Sequence, residues 1–153
     1  RIRIHGDYHL GQVLVNGEDF YLLDFEGEPE STIRDRKVKQ PPLKDVAGMF
    51  RSFHYAIYAT IFNNKDKYPY SQEELFQAGE VLFNYFVGVF LQTYTEVAQA
   101  GNLNIGYKKE IDFLLKYCIL EKAVYELGYE LNSRPRWAVI PLTGIASIMH
   151  FNN

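Results

Sequence analysis

Residues 4–14 read IHGDYHLGQVL, and residues 24–29 read DFEGEP. Around them the pattern is that of a hairpin. Ile2 and Ile4 form a short apolar run into the Gly-flanked turn at His5-Gly6-Asp7, Gln12 to Asn16 is strand-like, Asn16-Gly17 is a turn dipeptide, and Phe20 to Phe25 is a second strand-like stretch. Alone, an aspartate in such a turn is a cap or turn former, and DFEG is the end of a strand. Together they predict a hairpin with Asp7, Gln12 and Asp24 gathered about a loop at its mouth.

Those residue types in that order suit phosphoryl transfer. The reaction needs a carboxylate beside the acceptor hydroxyl and oxygen ligands for the magnesium carried by the nucleotide. Asp7 supplies the first. Gln12, five residues on, stands where the pattern D-x-x-x-x-N places its metal-binding Asn, and Asp24 opens a D-F-x-G segment of the kind that carries the second metal ligand. The expected assignment is Asp7 as the catalytic residue, Gln12 and Asp24 as Mg2+ ligands, and ATP as co-substrate.

HGDYHLGQ followed by DFEGEP resembles the phosphotransferase motifs of maltokinases, which belong to the aminoglycoside phosphotransferase-like branch of the protein-kinase-like fold. PLKDVAGMFRSFHYA at 42–56 and LEKAVYELGYELNSRPRWAVIPLTGI at 120–145 extend the resemblance over nearly all of the chain. Gln in place of the branch's usual Asn is itself typical of the maltokinase pattern. The resemblance implies a mainly helical α+β fold, the C-terminal lobe of a kinase-like enzyme. Its parts would be a catalytic and metal-binding hairpin over 1–41 and a helical substrate-binding subdomain over 42–153. It also implies phosphorylation of maltose to maltose 1-phosphate. In many bacteria maltokinase is fused behind a trehalose synthase, so that domain is an expected partner in cis. The chain starts at Arg1 without a methionine, and no Gly-rich loop followed by a strand lysine is visible. A nucleotide-binding N-terminal lobe is therefore expected elsewhere in the parent protein, and negligible turnover from these residues alone.

Composition agrees with one folded module. The 153 residues are 47% hydrophobic and 16% aromatic, enough for a single sizeable core. A net charge of −3 argues against a nucleic-acid surface. The lone Cys118 lies in an apolar helical pattern and reads as a small buried side chain. With no signal peptide and no apolar run long enough to span a bilayer, cytoplasm is the expected location and no membrane partner is expected.

Past the hairpin, residues 26–41 are charged and broken by prolines, which reads as a solvated loop. Its position after Asp24 lets one of its basic residues at 34–39 meet a phosphate. From Pro42 the period becomes helical over about 42–63, through Leu43, Val46, Ala47, Phe50, Phe53, Ile57 and Ile61. Asp45 in its first turn caps the helix or braces the catalytic loop. His54 reads as a packed core histidine. A second helix over 71–100 opens on a Ser71-x-x-Glu74 capping box, and its broad apolar set predicts a central helix contacted on several sides.

A third helix over about 107–132 carries two stripes. Leu120, Val124, Leu127 and Leu131 fall on one face, and Lys122, Tyr125, Glu126 and Tyr129 on the opposite one. The polar stripe is either a solvated face with a weak Lys122–Glu126 pair or a sugar site, where tyrosine faces stack on pyranose C–H groups and charges bond hydroxyls. The maltokinase resemblance implies the sugar site, formed by Lys122, Tyr125, Glu126, Tyr129 and Glu130. Arg134 and Trp137 either close that pocket or form a corner, before a final helix over 137–149 that starts near Pro141. His5 and His9 shape the loop, and Glu26 faces metal or sugar. Two other functions fit the same residues: a small-molecule kinase with a different acceptor, and a non-catalytic domain docking to a trehalose synthase.

Overall fold

Two short strands form the hairpin: β1 (Val13–Asn16) and β2 (Asp19–Leu22), antiparallel, with Val13 opposite Leu22 and Asn16 opposite Asp19. The computed structural model describes residues 1–29, 31–64 and 67–150. The two-residue loop is thus Gly17-Glu18, one position later than the Asn16-Gly17 reading. Gly17, at φ 63°, supplies the left-handed conformation that the first loop position demands. The strands are also shorter than the pattern suggested. Gln12 still belongs to a 3-10 turn (Leu10–Gln12), and the chain has left strand geometry by Asp24, at φ 59°.

The charged segment is not all loop. Thr32 accepts from the Asp35 amide at 3.1 Å and starts a one-turn helix, α1 (Ile33–Lys37), a capping pattern visible in the sequence but unread there. Glu30, in the same segment, lies outside the described residues. Farther on, Gln40 exchanges backbone hydrogen bonds with Ile2 at 2.8 and 3.0 Å, which ties the segment back to the start of the chain.

Helix α2 (Leu43–Asn64) is the centre of the molecule. Its Leu43, Val46, Ala47 and Phe50 are buried with Leu115 and Cys118 of α4 (Lys108–Ser133), and half-buried Val87, Phe90 and Leu91 of α3 (Gln72–Ala100) close the cluster. Burial pushes the Cys118 thiol up, as suits an inert core cysteine.

The Ser71–Glu74 capping box forms as read, with both reciprocal bonds present. Helix α3 is not central, however. It packs on α2 along one side only, and Val81, Tyr85, Val89 and Val97 are half or more exposed. The apolar breadth that suggested burial on several sides is an open apolar face.

The faces of α4 also differ from a simple amphipathic reading. Val124 and Leu131 are more than half exposed, whereas Ala123 and Glu130 are buried. Small residues let α4 approach α2, and the carboxylates that come inward with them are paired with arginines, so polarity does not predict exposure there. A 3-10 turn (Pro135–Trp137) leads into α5 (Val139–His150), which packs against α4 and starts two residues before Pro141. Among the described residues no helix is long and apolar enough to cross a membrane.

Candidate active site

The loop that carries Asp7 is held from below by α2. Asp45 accepts the backbone N–H of His5 at 2.8 Å through Oδ2 and that of Gly6 at 2.9 Å through Oδ1. Of the two roles open to Asp45, the structure therefore selects the brace. Burial raises its carboxyl, while the two amide bonds pull it down. Gly48, one turn later, lets the Tyr8 carbonyl lie on the helix: a Cβ there would sit 2.7 Å from that oxygen. His5 is buried, and its Nε2 donates to the Leu23 carbonyl at 2.7 Å, since a carbonyl only accepts. Its ring packs on Phe25 at 4.8 Å. His9 caps the 3-10 turn by accepting from Gly11 at 3.0 Å. Both histidines thus shape the loop.

Pairing of the strands brings Gln12 and Asp24 together. Leu23 donates its N–H to the Gln12 carbonyl at 2.9 Å, and the Gln12 amide donates to Asp24 Oδ2 at 3.2 Å. With its amide turned, Gln12 would add a carbonyl oxygen to the Asp24 carboxylate. That donor set suits Mg2+, which prefers oxygens and commonly takes one or two carboxylates plus substrate phosphates. Among the described residues no cluster of three His, Cys, Asp or Glu side chains could hold a metal alone, so phosphate oxygens would have to complete the shell. Glu26 is exposed and lines neither cavity that Asp7 faces.

Asp7 meets helix α4 through Lys122. The ammonium lies 3.6 Å from Asp7 Oδ1 and donates to Glu28 Oε2 at 2.7 Å, while His9 Nε2 is 3.7 Å from Asp7 Oδ2. Burial alone would lower the Lys122 pKa. The carboxylates of Glu28, Asp7 and Glu126 outweigh it and hold the ammonium above its ordinary value. Glu28 is a site residue the sequence reading missed. Its signal was the second glutamate of DFEGEP, turned inward after buried Gly27 at φ 82°.

Lys122, Tyr125, Glu126, Tyr129 and Glu130 all line one cavity of about 330 Å³ with Asp7, Glu28 and Arg134. Tyr125 and Tyr129 are 40% and 51% exposed, so the stripe lines a cavity and still meets solvent. Glu130 is 1% exposed and takes both Arg134 Nη2 at 2.6 Å and Nε at 3.0 Å, with the Tyr55 hydroxyl donating at 3.1 Å. Glu126 receives Arg51 at 2.8 Å. Lys122 lies over the Tyr125 ring at 5.2 Å, and the Arg134 guanidinium lies over the Tyr129 ring at 5.8 Å and the Trp137 ring at 4.5 Å. Arg134 thus belongs to the cavity, with Trp137 backing it. Arg51 and Tyr55 were also missed: they sit in RSFHY at 51–55, polar positions inside an apolar helical run.

A second cavity of about 610 Å³ shares Asp7, Glu28, Lys122 and Tyr125 with the first and continues under α1. Of the basic residues at 34–39, Arg36 alone lines it, with its Nε buried and without a hydrogen-bond partner among the described residues. Arg34, Lys37 and Lys39 are exposed.

Fold and site together define a mainly helical α+β lobe in which a hairpin loop presents a carboxylate to a cavity rich in acids and aromatics. No family model matches the chain. It is similar to the glucosamine kinase of Streptacidiphilus jiangxiensis, 24% identical over 97% of this chain and 32% of that protein. It is also similar to the glucosamine kinase of Mycolicibacterium smegmatis (strain ATCC 700084 / mc(2)155), 28% identical over 95% of this chain and 34% of that protein. Its fold matches a solved glucosamine kinase with a TM-score of 0.80 at 21% identity, over 97% of this chain and 34% of that one. A glucosamine kinase solved with glucosamine, ADP and inorganic phosphate matches with a TM-score of 0.74 at 23% identity, over 97% of this chain and 35% of that one. The chain spans about a third of the length of the curated relatives it matches.

Proposed function

We propose that this chain is the acceptor-binding and catalytic lobe of an ATP-dependent sugar kinase, and that the acceptor is an amino sugar. The observation that carries the reading is the placement of Asp7 in the wall of a cavity with four carboxylates against two cations. Arg51 behind the wall does not make that balance positive. A cationic hexose gains from such a field, whereas a neutral sugar does not. Similarity to glucosamine kinases supports the same choice.

In this mechanism Asp7 accepts the proton of the acceptor hydroxyl as its oxygen bonds to the γ-phosphorus of ATP. The bond from that phosphorus to the bridging oxygen breaks, and ADP leaves. Lys122 and His9 fix the orientation of the Asp7 carboxylate from either side. Gln12 and Asp24 would hold Mg2+, which when bound neutralises charge on the phosphates. A nucleotide-binding lobe in the remainder of the protein would cover the hairpin, whose Val15, Phe20 and Phe25 are more than half exposed.

Maltose is the second reading, favoured by Tyr125 and Tyr129, which present half-exposed ring faces suited to stacking on a neutral pyranose. Its product would be maltose 1-phosphate, and a trehalose synthase domain its partner in cis. An acceptor panel with the full-length protein, ATP and Mg2+ separates the two. The amino-sugar reading predicts the highest kcat/KM for glucosamine, and a loss of about tenfold or more on N-acetylation, which removes the cation. Higher kcat/KM for maltose or glucose than for glucosamine contradicts it.

A further inference from the structure

Behind the acceptor cavity a chain of polar side chains, buried at Arg51 and His54 and reaching partly exposed Glu80, crosses three helices, and the transfer chemistry makes no use of it. Arg51 of α2 is 2% exposed, and its Nε and Nη2 each lie 2.8 Å from one oxygen of Glu126, Oε2. Its Nη1 is 3.2 Å from His54 Nδ1. A guanidinium can only donate, so Nδ1 accepts and the imidazole proton sits on Nε2. That nitrogen faces Glu80 of α3, whose Oε1 is 3.8 Å away and receives the Tyr58 hydroxyl at 2.6 Å. Helix α5 closes the far side with Gly144, where any Cβ would collide with the Arg51 guanidinium.

Resting on the amino-sugar reading of the cavity, we propose that Arg51 is a positioning residue for acceptor recognition: by clamping Oε2 of Glu126 it aims Oε1 at the ammonium group of the acceptor, while His54 and Glu80 fix the guanidinium from behind. The Nε hydrogen bond, with Nη2 beside the same oxygen though not hydrogen-bonded to it among the described residues, holds Oε2, and Nη1 ties the guanidinium to His54. A buried arginine that served packing alone would be replaceable by a hydrocarbon. Clamping also governs charge. Burial pushes the Glu126 carboxyl up, Arg51 and then Lys122 pull it down, and Glu130 pushes it up again. The remaining groups around this cavity are Tyr55 from α2, Asp7, His9 and Glu28 from the catalytic loop and the DFEGE turn, and Arg134 after α4. None of them replaces a guanidinium in contact with Oε2. Without Arg51, Glu126 takes up its proton at a higher pH, and a neutral carboxyl no longer attracts an ammonium group.

The test is the pH dependence of the glucosamine KM in the full-length protein for wild type, Arg51→Leu, Arg51→Lys and Glu126→Gln. The proposal predicts that Arg51→Leu raises KM about tenfold or more with kcat changed less than about threefold, the signature of lost ground-state binding. It also predicts that the pH midpoint governing KM moves upward. Arg51→Lys, which keeps the charge but not the fork, falls between Arg51→Leu and wild type, and it carries the test if Arg51→Leu does not fold. An unchanged KM and midpoint in the variant that folds overturns the proposal, as does a loss of melting temperature with the midpoint unmoved. Glu126→Gln separates the two levels of the argument. If it leaves the glucosamine KM unchanged, the amino-sugar reading falls with the proposal. If it raises KM while the Arg51 variants do not, only the role of Arg51 falls.

Discussion

Asp45 shows how one side chain can hold the loop that carries Asp7. Its two oxygens take up the His5 and Gly6 amides, donors that no neighbouring backbone serves in that turn. Asp45→Ala leaves both unsatisfied, and chemical denaturation should show a loss of about 2–4 kcal/mol, with a smaller loss for Asp45→Asn, whose amide oxygen still accepts one bond. His54 makes a different kind of prediction. Burial, helped by the charge of Arg51, holds its pKa below the ordinary histidine value. The unfolded chain therefore binds a proton below about pH 6.5 that the folded chain refuses. Stability associated with His54 is present above that pH and is lost as pH falls toward the lowered folded value. Denaturation midpoints of wild type should fall more steeply than those of His54→Gln over that window; parallel curves would show that His54 is not the group responsible. The core position of His54 was legible from its place in the apolar stripe, but its partners were not. An isolated histidine in an apolar stripe carries no sign of an arginine three residues earlier pointing the same way.

Among the elements, α2 and α4 set the site, and they differ in how openly their sequences say so. Regular apolar spacing from Leu43 to Ile61 made α2 legible, and the capping box made the start of α3 legible to the residue. The stripe of α4 was seen, yet its direction was not. Val124 and Leu131 look like core and are exposed, while Glu126 turns inward to Arg51 of α2 and Glu130 inward to Arg134, four residues along. A long-range pair such as Arg51–Glu126 leaves no local trace. The same holds for Gly48, which reads as an ordinary helix interior position but is where the Tyr8 carbonyl touches α2. Gly48→Ala should favour the isolated helix and still lower kcat about 10–100-fold, because the loop carrying Asp7 must move away. Full activity in that variant would mean that the loop tolerates displacement.

At the scale of the whole molecule, apolar surfaces on α3 and on the hairpin remain open among the described residues. If the hairpin face receives the nucleotide-binding lobe, Val15→Lys and Phe20→Lys should change the stability of this lobe by no more than about 0.5 kcal/mol, since both side chains are exposed within it. The ATP KM of the full-length protein should nevertheless rise; an unchanged value would place that lobe elsewhere. The approach of Gln12 to Asp24 at the hairpin was readable from spacing, because the turn and the strand pairing are local. The charge of the cavity was not readable, since it depends on Glu28 and Arg51, which only the fold brings to it. The most direct test of the whole account is glucosamine-dependent release of ADP by the full-length protein with ATP and Mg2+, wild type against Asp7→Asn. The account predicts a kcat lowered about 10²–10⁴-fold in the variant with glucosamine binding retained. Undiminished turnover in Asp7→Asn, or no glucosamine-dependent ADP release by wild type, would contradict it.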